Sequence, residues 1–244
     1  MSVIPCWAYK ILYKIPRFIK ISIMIKNVFP EYSIAKASID ANYRMTYYKK
    51  FRDTNERKIY EKTLNLGYII AEGPLTMYAE TVLEKQYDRE GFRPPFGSLV
   101  LDVGGAYGDT AIWYSKEFGA KVIVFEPLKE CYDAILKNVV ANGVAEKVTA
   151  YNVALGSGTK QRGHIWNGMF SILEGNIIYD TKRLDDYGFK DVYLLKVDVE
   201  GFECEVLHGA INMINNSHPK IVMEVHSSKL KKECIKLLYG LGYE

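Results

Sequence analysis

LDVGGAYGDTAIWYSKEFGAKVIVFEP, residues 101–127, is the stretch that decides the fold. An apolar run ends in Asp102, glycines follow at positions 104, 105 and 108, and a second apolar run ends in Glu126. The segment between the two runs is predicted to be helical, which gives a strand, a tight turn, a helix and a second strand. Glycine permits the sharp turn, and an acid at the tip of the second strand can accept both hydroxyls of a ribose. The stretch indicates a site for an adenosine-containing cofactor; the alternative is a turn whose acids only cap helices.

The rest of the chain continues the alternation of strands and helices. Strands are predicted at 99–103, 121–125, 147–153, 192–198 and 220–225, and helices at 108–118, 128–142, 202–215 and 228–240. This order predicts a doubly wound, mostly parallel α/β sheet. Ligands of such sheets bind beyond the carboxyl ends of the strands, where the strand order reverses.

A long glycine-rich connection over 156–176 interrupts this pattern. Connections of this length are uncommon unless they are functional or disordered. Its aromatic and hydrogen-bonding side chains suit a polyhydroxyl acceptor, and the alternative is a surface hairpin without substrate contact. The side chains in question are Arg162, His164, Trp166, Asn167 and Phe170.

The amino-terminal part differs in composition from the rest. Residues 1–70 are predicted to form a helical extension to a main domain over 71–244, whose first helix begins after Pro74 and ends at Gly91. Residues 1–28 place apolar side chains at helical spacing and bases mostly on the other side, and residues 1–30 hold five bases and no acid. Two interpretations are open: a helix packed on the main domain, or an interfacial helix on an anionic membrane.

The composition, 48% hydrophobic and 25% charged, is that of an ordinary globular protein. Outside residues 1–30 there are 27 bases and 29 acids, and this near-neutral body argues against a nucleic-acid channel. The four cysteines lie far apart, so neither a metal site nor a disulfide framework is expected. This cysteine usage fits a reducing cytosol, so we expect a cytoplasmic protein, peripheral to a membrane if the amino-terminal helix is interfacial. No apolar run is long enough to predict a membrane-spanning helix.

The glycine spacing narrows the choice of cofactor. A dinucleotide site would show G-x-G-x-x-G, and a P-loop would continue into GK[ST]; neither pattern is present. A pyrophosphate favours a helix start without an acid, whereas the acid beside this turn suits a positively charged ligand end. S-adenosylmethionine is such a ligand, because it carries ammonium and sulfonium groups. A nucleotide-dependent oxidoreductase is the disfavoured alternative.

The chain from 99 to about 230 resembles the FkbM-type S-adenosylmethionine-dependent methyltransferases. The resemblance rests on six motifs in order, of which the fifth is the most specific: LDVGGAYGDTA, VIVFEP, YNVALGSG, TKRLDDYG, LLKVDVEGFECEVLHGA and HPKIVMEVH. It implies the class I methyltransferase sheet and, as the usual reaction, O-methylation of a hydroxyl on a sugar or natural product. A glycolipid acceptor would suit membrane attachment.

The resemblance also implies a role for each matching position. The methionine part of the cofactor would be lined by Asp102, Gly104, Gly105, Ala106 and Gly108. The ribose would be held by Glu126, with Pro127 as a pocket wall, and the adenine would lie near Asn152, Val153 and Ala154. Asp198 would face the methyl group, and Glu200 and His226 would border the acceptor pocket.

Asp198, Glu200 and His226 are the candidate catalytic residues. A hydroxyl acceptor must lose its proton as its oxygen attacks, and a carboxylate or imidazole within hydrogen-bond reach can accept it. Asp198 and Glu200 are two residues apart and would point the same way on an extended strand. For His226 the alternative is a structural histidine at a strand end. Lys196 is expected to be a buried or a snorkelling lysine, paired with a nearby acid.

Two departures from the family pattern bear on these expectations. The family turn usually reads D-x-G-A-N-x-G, whereas this chain has Gly105 and Ala106 at the alanine and asparagine positions. The class I sheet normally continues into a last hairpin, whereas this sequence stops at LGYE, which predicts an incomplete sheet edge. A methyltransferase fold used only for binding or regulation is therefore the alternative to an enzyme.

Overall fold

The computed structural model describes residues 54–166, 169–171 and 177–244, so the predicted helix over 1–28 lies outside the described residues. Its main element is a five-stranded sheet with the order β3-β2-β1-β8-β9, in which every pair is parallel. The strands are β1 Leu99–Val103, β2 Lys121–Phe125, β3 Val148–Tyr151, β8 Val192–Val197 and β9 Lys220–Met223. The order runs outward from β1 in both directions, which confirms the doubly wound α/β prediction. Within the described residues, β9 is the outer strand on its side.

Helices connect the strands and cover both faces of the sheet. They are α1 Thr54–Asn65, α2 Leu75–Tyr78, α3 Asp109–Glu117, α4 Lys129–Ala141, α5 Glu203–His208, α6 Ile211–Ser217 and α7 Ser228–Gly240. The predicted helices after β1, after β2 and at 228–240 are confirmed to within a residue or two. α4 ends as its sequence indicates, with Gly143 in the left-handed region at φ 67°.

Two predicted helices begin where expected, at Leu75 and Glu203, but their predicted extents were wrong. The helix expected to reach Gly91 ends at Leu83 after a π-helical turn, Ala79–Leu83, and Lys85 then adopts a φ of 55°, which reverses the chain. The helix expected at 202–215 is broken at Gly209, where a Cβ would lie 1.9 Å from the carbonyl oxygen of Gly156. The second break coincides with a contact to a distant part of the chain, which helical periodicity does not report.

The connection after β3 is a small second sheet rather than a loop. Its strands are β4 Ala154–Leu155, β5 Lys160–Trp166, β6 Met169–Ser171 and β7 Ile177–Lys182, in the order β4-β7-β5-β6. β5 pairs antiparallel with both β6 and β7. This antiparallel pairing matches the hairpin backbone of the alternative interpretation. The described side chains do not test its expected contact with an acceptor.

Strand side chains alternate between two apolar clusters, one on each face of the sheet. On β1, Val100 packs with α3 and α4, whereas Leu101 and Val103 pack with α5 and α6. On β2, Val124 belongs to the same cluster as Val100, and Phe125 belongs to the same cluster as Leu101. Because both faces are covered, the strands are continuous apolar runs, and this is why they could be predicted from the sequence.

The segment before the sheet shares its core. Tyr60, Tyr68 and Ile70 belong to the same apolar cluster as Val100, and each is at most 1% exposed. The domain boundary placed between residues 70 and 71 remains a prediction, and the rest of the amino-terminal extension lies outside the described residues. Residues 54–83 therefore contribute to the apolar core on the face of the sheet that α3 and α4 cover.

Candidate active site

A cleft opens at the carboxyl ends of β1, β2 and β8, where the strand order reverses. It contains about 680 Å³ of empty space, part of it continuous with solvent. Three strand ends and the segment before the sheet supply its lining: Met77, Tyr87, Gly104, Ala106, Tyr107, Asp109, Thr110, Glu126, Pro127, Leu128, Cys131, Lys196, Asp198, Val199 and Glu200.

The glycine turn after β1 is packed tightly against its neighbours. A Cβ on Gly104 would lie 1.7 Å from the carbonyl oxygen of Asp198, and a Cβ on Gly105 would lie 2.0 Å from Cγ1 of Val124. Gly108, at φ 82°, precedes the first turn of α3. The glycines thus let the turn approach β2 and β8 closely, and of the three only Gly104 lines the cleft.

Glu126, at the end of β2, holds this turn in place. One carboxylate oxygen accepts the backbone N–H of Ala106 at 2.9 Å, and the other accepts the N–H of Leu128 at 2.9 Å. The residue is 5% exposed and lines the cleft. Burial raises the pKa of its carboxyl to about 7, although the two N–H donors lower it. Each carboxylate oxygen has a second lone pair, so Glu126 can still accept hydroxyl donors from a ligand.

Asp102 lies behind the cleft rather than among its lining residues. It is fully buried, with one oxygen 3.0 Å from Nζ of Lys196 and the other accepting the hydroxyl of Thr110 at 2.5 Å. Lys196 also donates to the carbonyl oxygen of Gly104 at 2.7 Å. Burial lowers the pKa of Lys196, but Asp102 and Asp198 raise it more, so the ammonium stays charged. Lys196 is thus buried beside an acid, and its hydrogen bond to Gly104 holds the glycine turn in place.

Asp198, at the end of β8, faces the cleft and has a partner that sequence reasoning missed. The hydroxyl of Tyr87 donates to Asp198 Oδ2 at 2.8 Å. Burial and the neighbouring carboxylate raise the pKa of Tyr87, so the phenol keeps its proton and remains a donor. Tyr87 comes from the irregular segment after the π-helical turn, where no periodicity or motif signals a functional residue.

His226 lies beyond β9 and is surrounded by carboxylates. Its Nδ1 is 2.8 Å from Oε1 of Glu203, which is fully buried. Its Nε2 is 3.4 Å from Oε2 of Glu200 and 3.9 Å from Oδ1 of Asp198. Burial lowers the pKa of His226, but the hydrogen bond with Glu203 and the charges of Glu200 and Asp198 raise it above its usual value. The three candidate catalytic residues, Asp198, Glu200 and His226, are thus brought together.

The residues expected near an adenine lie at the end of β3. The side chain of Asn152 donates to the carbonyl oxygens of Glu126 and Pro127, at 2.9 and 3.0 Å, and so ties the end of β3 to that of β2. Pro127 lines the cleft, whereas Val153 and Ala154 are partly buried beside it and are not among its lining residues.

Asp109 is a further lining residue that sequence reasoning missed. It is 5% exposed and accepts the hydroxyl of Thr81, and burial raises the pKa of its carboxyl to about 6. Its position directly after Gly108, at the start of α3, is the signal that could have identified it. The structure therefore places two buried acids, Asp109 and Glu126, on the cleft in addition to Asp198.

Two curated proteins are similar to this chain. Methyltransferase sdnD of Sordaria araneosa is 26% identical over 216 residues, which cover 69% of this chain and 81% of that protein. Methyltransferase 1 of Beauveria bassiana (strain ARSEF 2860) is 25% identical over 185 residues, which cover 63% of this chain and 74% of that protein.

A solved structure, that of methyltransferase FkbM from Methylobacillus flagellatus KT, is similar over 95% of this chain with 17% identity and a TM-score of 0.47. This chain spans about half of that protein, 52% of its length. Within the described residues, no helix is both long and apolar enough to cross a membrane.

A family model settles the relationship. The model described as the methyltransferase FkbM domain matches residues 102–244. The match begins at the buried acid of β1 and includes the glycine turn, Glu126, Asp198 and His226. It covers more than half of the chain, which therefore belongs to the FkbM methyltransferase family.

Proposed function

We propose that the protein is an S-adenosylmethionine-dependent methyltransferase that methylates a hydroxyl of a sugar, glycolipid or natural-product acceptor. The observation that carries the proposal is Glu126, a buried carboxylate that lines the cleft beside the glycine turn. A buried acid is costly unless it is hydrogen-bonded. A ribose diol would supply two further donors to it, so the donor set fits an adenosine cofactor.

The chemistry divides between the two ends of the cleft. Bound S-adenosylmethionine supplies an electrophilic methyl group, and the protein has to hold it in line with the acceptor oxygen. Ala106 offers backbone beside Glu126, and Gly104 approaches the carbonyl oxygen of Asp198. Asp198 and Glu200 offer proton acceptors at the other end, where a hydroxyl must lose its proton. The membership of the FkbM family and the closeness of Asp198, Glu200 and His226 support this division.

The test is calorimetric titration of the full chain with S-adenosylhomocysteine, comparing Glu126→Gln with the wild type. We expect the affinity to fall about 10- to 100-fold, since a charge-assisted hydrogen bond contributes about 1.5–3 kcal/mol. The wild-type affinity should also fall as the pH drops below about 7, because protonation removes the charge that the hydroxyls favour, and Glu126→Gln should lose this dependence.

The control for this experiment is Glu146→Gln, at an exposed position after α4. It should bind like the wild type. Equal affinity in Glu126→Gln and the wild type would contradict the ribose assignment. Methyl incorporation into a set of hydroxylated acceptors, with the product analysed by NMR for an O-methyl group, then tests the reaction itself.

A further inference from the structure

The acceptor end of the cleft has a spacing of ligand atoms that the reaction alone does not explain. Nε2 of His226 lies 3.4, 3.7 and 3.9 Å from carboxylate oxygens of Glu200, Glu224 and Asp198, respectively. Direct charged hydrogen bonds are shorter, about 2.7–2.9 Å. Neighbouring ligands of one metal ion, each about 2.1–2.3 Å from it, lie roughly 3.0–3.3 Å apart, so these atoms would have to move closer by about 0.1–0.9 Å to share one ion. The ligand atoms of Asp198, Glu224 and His226 all lie within 4.8 Å of one another.

A second, independent observation concerns the other side of the imidazole. Glu203 is fully buried, and its Oε1 accepts the N–H of Gly201 at 2.9 Å and lies 2.8 Å from Nδ1 of His226. Among the described residues, its buried Oε2 has no hydrogen-bond partner. When the imidazole is neutral, a proton on Nδ1 donated to this carboxylate would leave the lone pair of Nε2 free to bind a metal ion. Histidines that bind metals are commonly oriented by a carboxylate in this way.

The negative charge around His226 also favours a bound cation. Four carboxylates, those of Asp198, Glu200, Glu203 and Glu224, surround the single imidazole. The ammonium of Lys196 is 3.9 Å from Asp198 but is closer, at 3.0 Å, to Asp102. Carboxylate oxygens of Asp198 and Glu224 lie within 4.8 Å of each other, a distance at which like charges in a partly buried site repel one another. A divalent cation among them would remove that repulsion.

We propose that Asp198, Glu224 and His226 bind one divalent metal ion at the acceptor end of the cleft, with Glu203 as the positioning residue of His226. One imidazole with carboxylate oxygens suits an ion such as Mn²⁺, which accepts both kinds of ligand. The role of the ion rests on the proposed function: it binds and orients the acceptor hydroxyl, and Glu200 remains beside it as the proton acceptor.

The experiment is titration of the full chain with Mn²⁺, followed by calorimetry and by the loss of the free-ion EPR signal. We expect one saturable site, weakened at least tenfold in Glu224→Gln, a half-exposed position where the substitution keeps the side-chain size. The matched control, Glu233→Gln on α7, removes an exposed carboxylate outside the cluster and should bind Mn²⁺ like the wild type. The absence of a saturable site, or equal binding by Glu224→Gln and the wild type, overturns the proposal.

Two further measurements separate this site from a surface site and from the cofactor cleft. Pulsed EPR of the bound ion should detect nitrogen coupling from His226, and its absence overturns the assignment of His226 as a ligand. Glu203→Gln should bind Mn²⁺ about 10- to 100-fold more weakly. S-adenosylhomocysteine is titrated in parallel. Failure of that binding with Mn²⁺ binding intact contradicts the proposed function alone, whereas the reverse result contradicts the metal site alone.

Discussion

Ala106 has a backbone conformation that alanine adopts only at a cost. Its φ is 43°, in the left-handed region, while its N–H donates to Glu126. The left-handed conformation costs a residue with a Cβ about 1–2 kcal/mol, and glycine avoids this cost but loses about 0.5–1 kcal/mol of chain entropy on folding. We therefore expect Ala106→Gly to raise the free energy of unfolding by about 0.5–1 kcal/mol in urea denaturation.

The matched control for Ala106→Gly is Ala150→Gly in the middle of β3, where φ is not positive. There the same exchange should lower the free energy of unfolding by about 0.5–1 kcal/mol. A loss of stability in Ala106→Gly as large as that in the control would show that the turn is not strained at this residue.

The residues at the strand ends could be predicted because the motif spacing and the parallel topology fix them. Glu126 and Asp198 follow apolar runs, and the ends of neighbouring parallel strands meet at one edge. Tyr87 and Glu203 could not be predicted from the sequence. Tyr87 depends on the chain reversal at Lys85, and Glu203 on the packing of α5 beside β9, and both are tertiary contacts.

At the scale of elements, α4 fastens the segment before the sheet to the cleft. The side chain of Asn142 accepts the N–H of Ile69 at 2.9 Å and donates to its carbonyl oxygen at 2.6 Å. The side chain of Asn138 accepts the N–H of Glu72 and donates to its carbonyl oxygen. It also donates to the carbonyl oxygen of Tyr107. Since Tyr107 lines the cleft, these two asparagines link the segment before the sheet to the candidate site.

We expect Asn142→Ala to lower the free energy of unfolding by about 2–4 kcal/mol, because the N–H and carbonyl of Ile69 would lose their buried partners. The measurement is urea denaturation followed by circular dichroism. Asn216→Ala, at an exposed position on α6, is the control and should change stability by no more than about 0.5 kcal/mol. If Asn142→Ala falls within the range of the control, the link contributes nothing measurable to stability.

At the scale of the whole molecule, charge is unevenly distributed along the chain. Residues 1–30 hold five bases and no acid, whereas the remainder has 27 bases and 29 acids. Bases near an anionic bilayer contribute about 1 kcal/mol each, and an apolar stripe that includes Trp7, Ile11, Ile15 and Phe18 would lie in the headgroup region if the segment is an interfacial helix. This arrangement would bring the cleft close to a lipid-linked acceptor.

We therefore predict that the full chain sediments with liposomes that contain anionic lipid and not with neutral ones. The bound fraction should fall as salt is raised, because the screening length shortens to about 8 Å at physiological ionic strength. A full-length variant with Lys10, Lys14 and Lys20 replaced by Glu should lose most of the binding, whereas replacement of Lys229, Lys231 and Lys232 on α7 by Glu should not. If both variants sediment like the wild type, or if none of the three proteins sediments, residues 1–28 do not bind the membrane surface, and the alternative of a helix packed on the main domain is favoured.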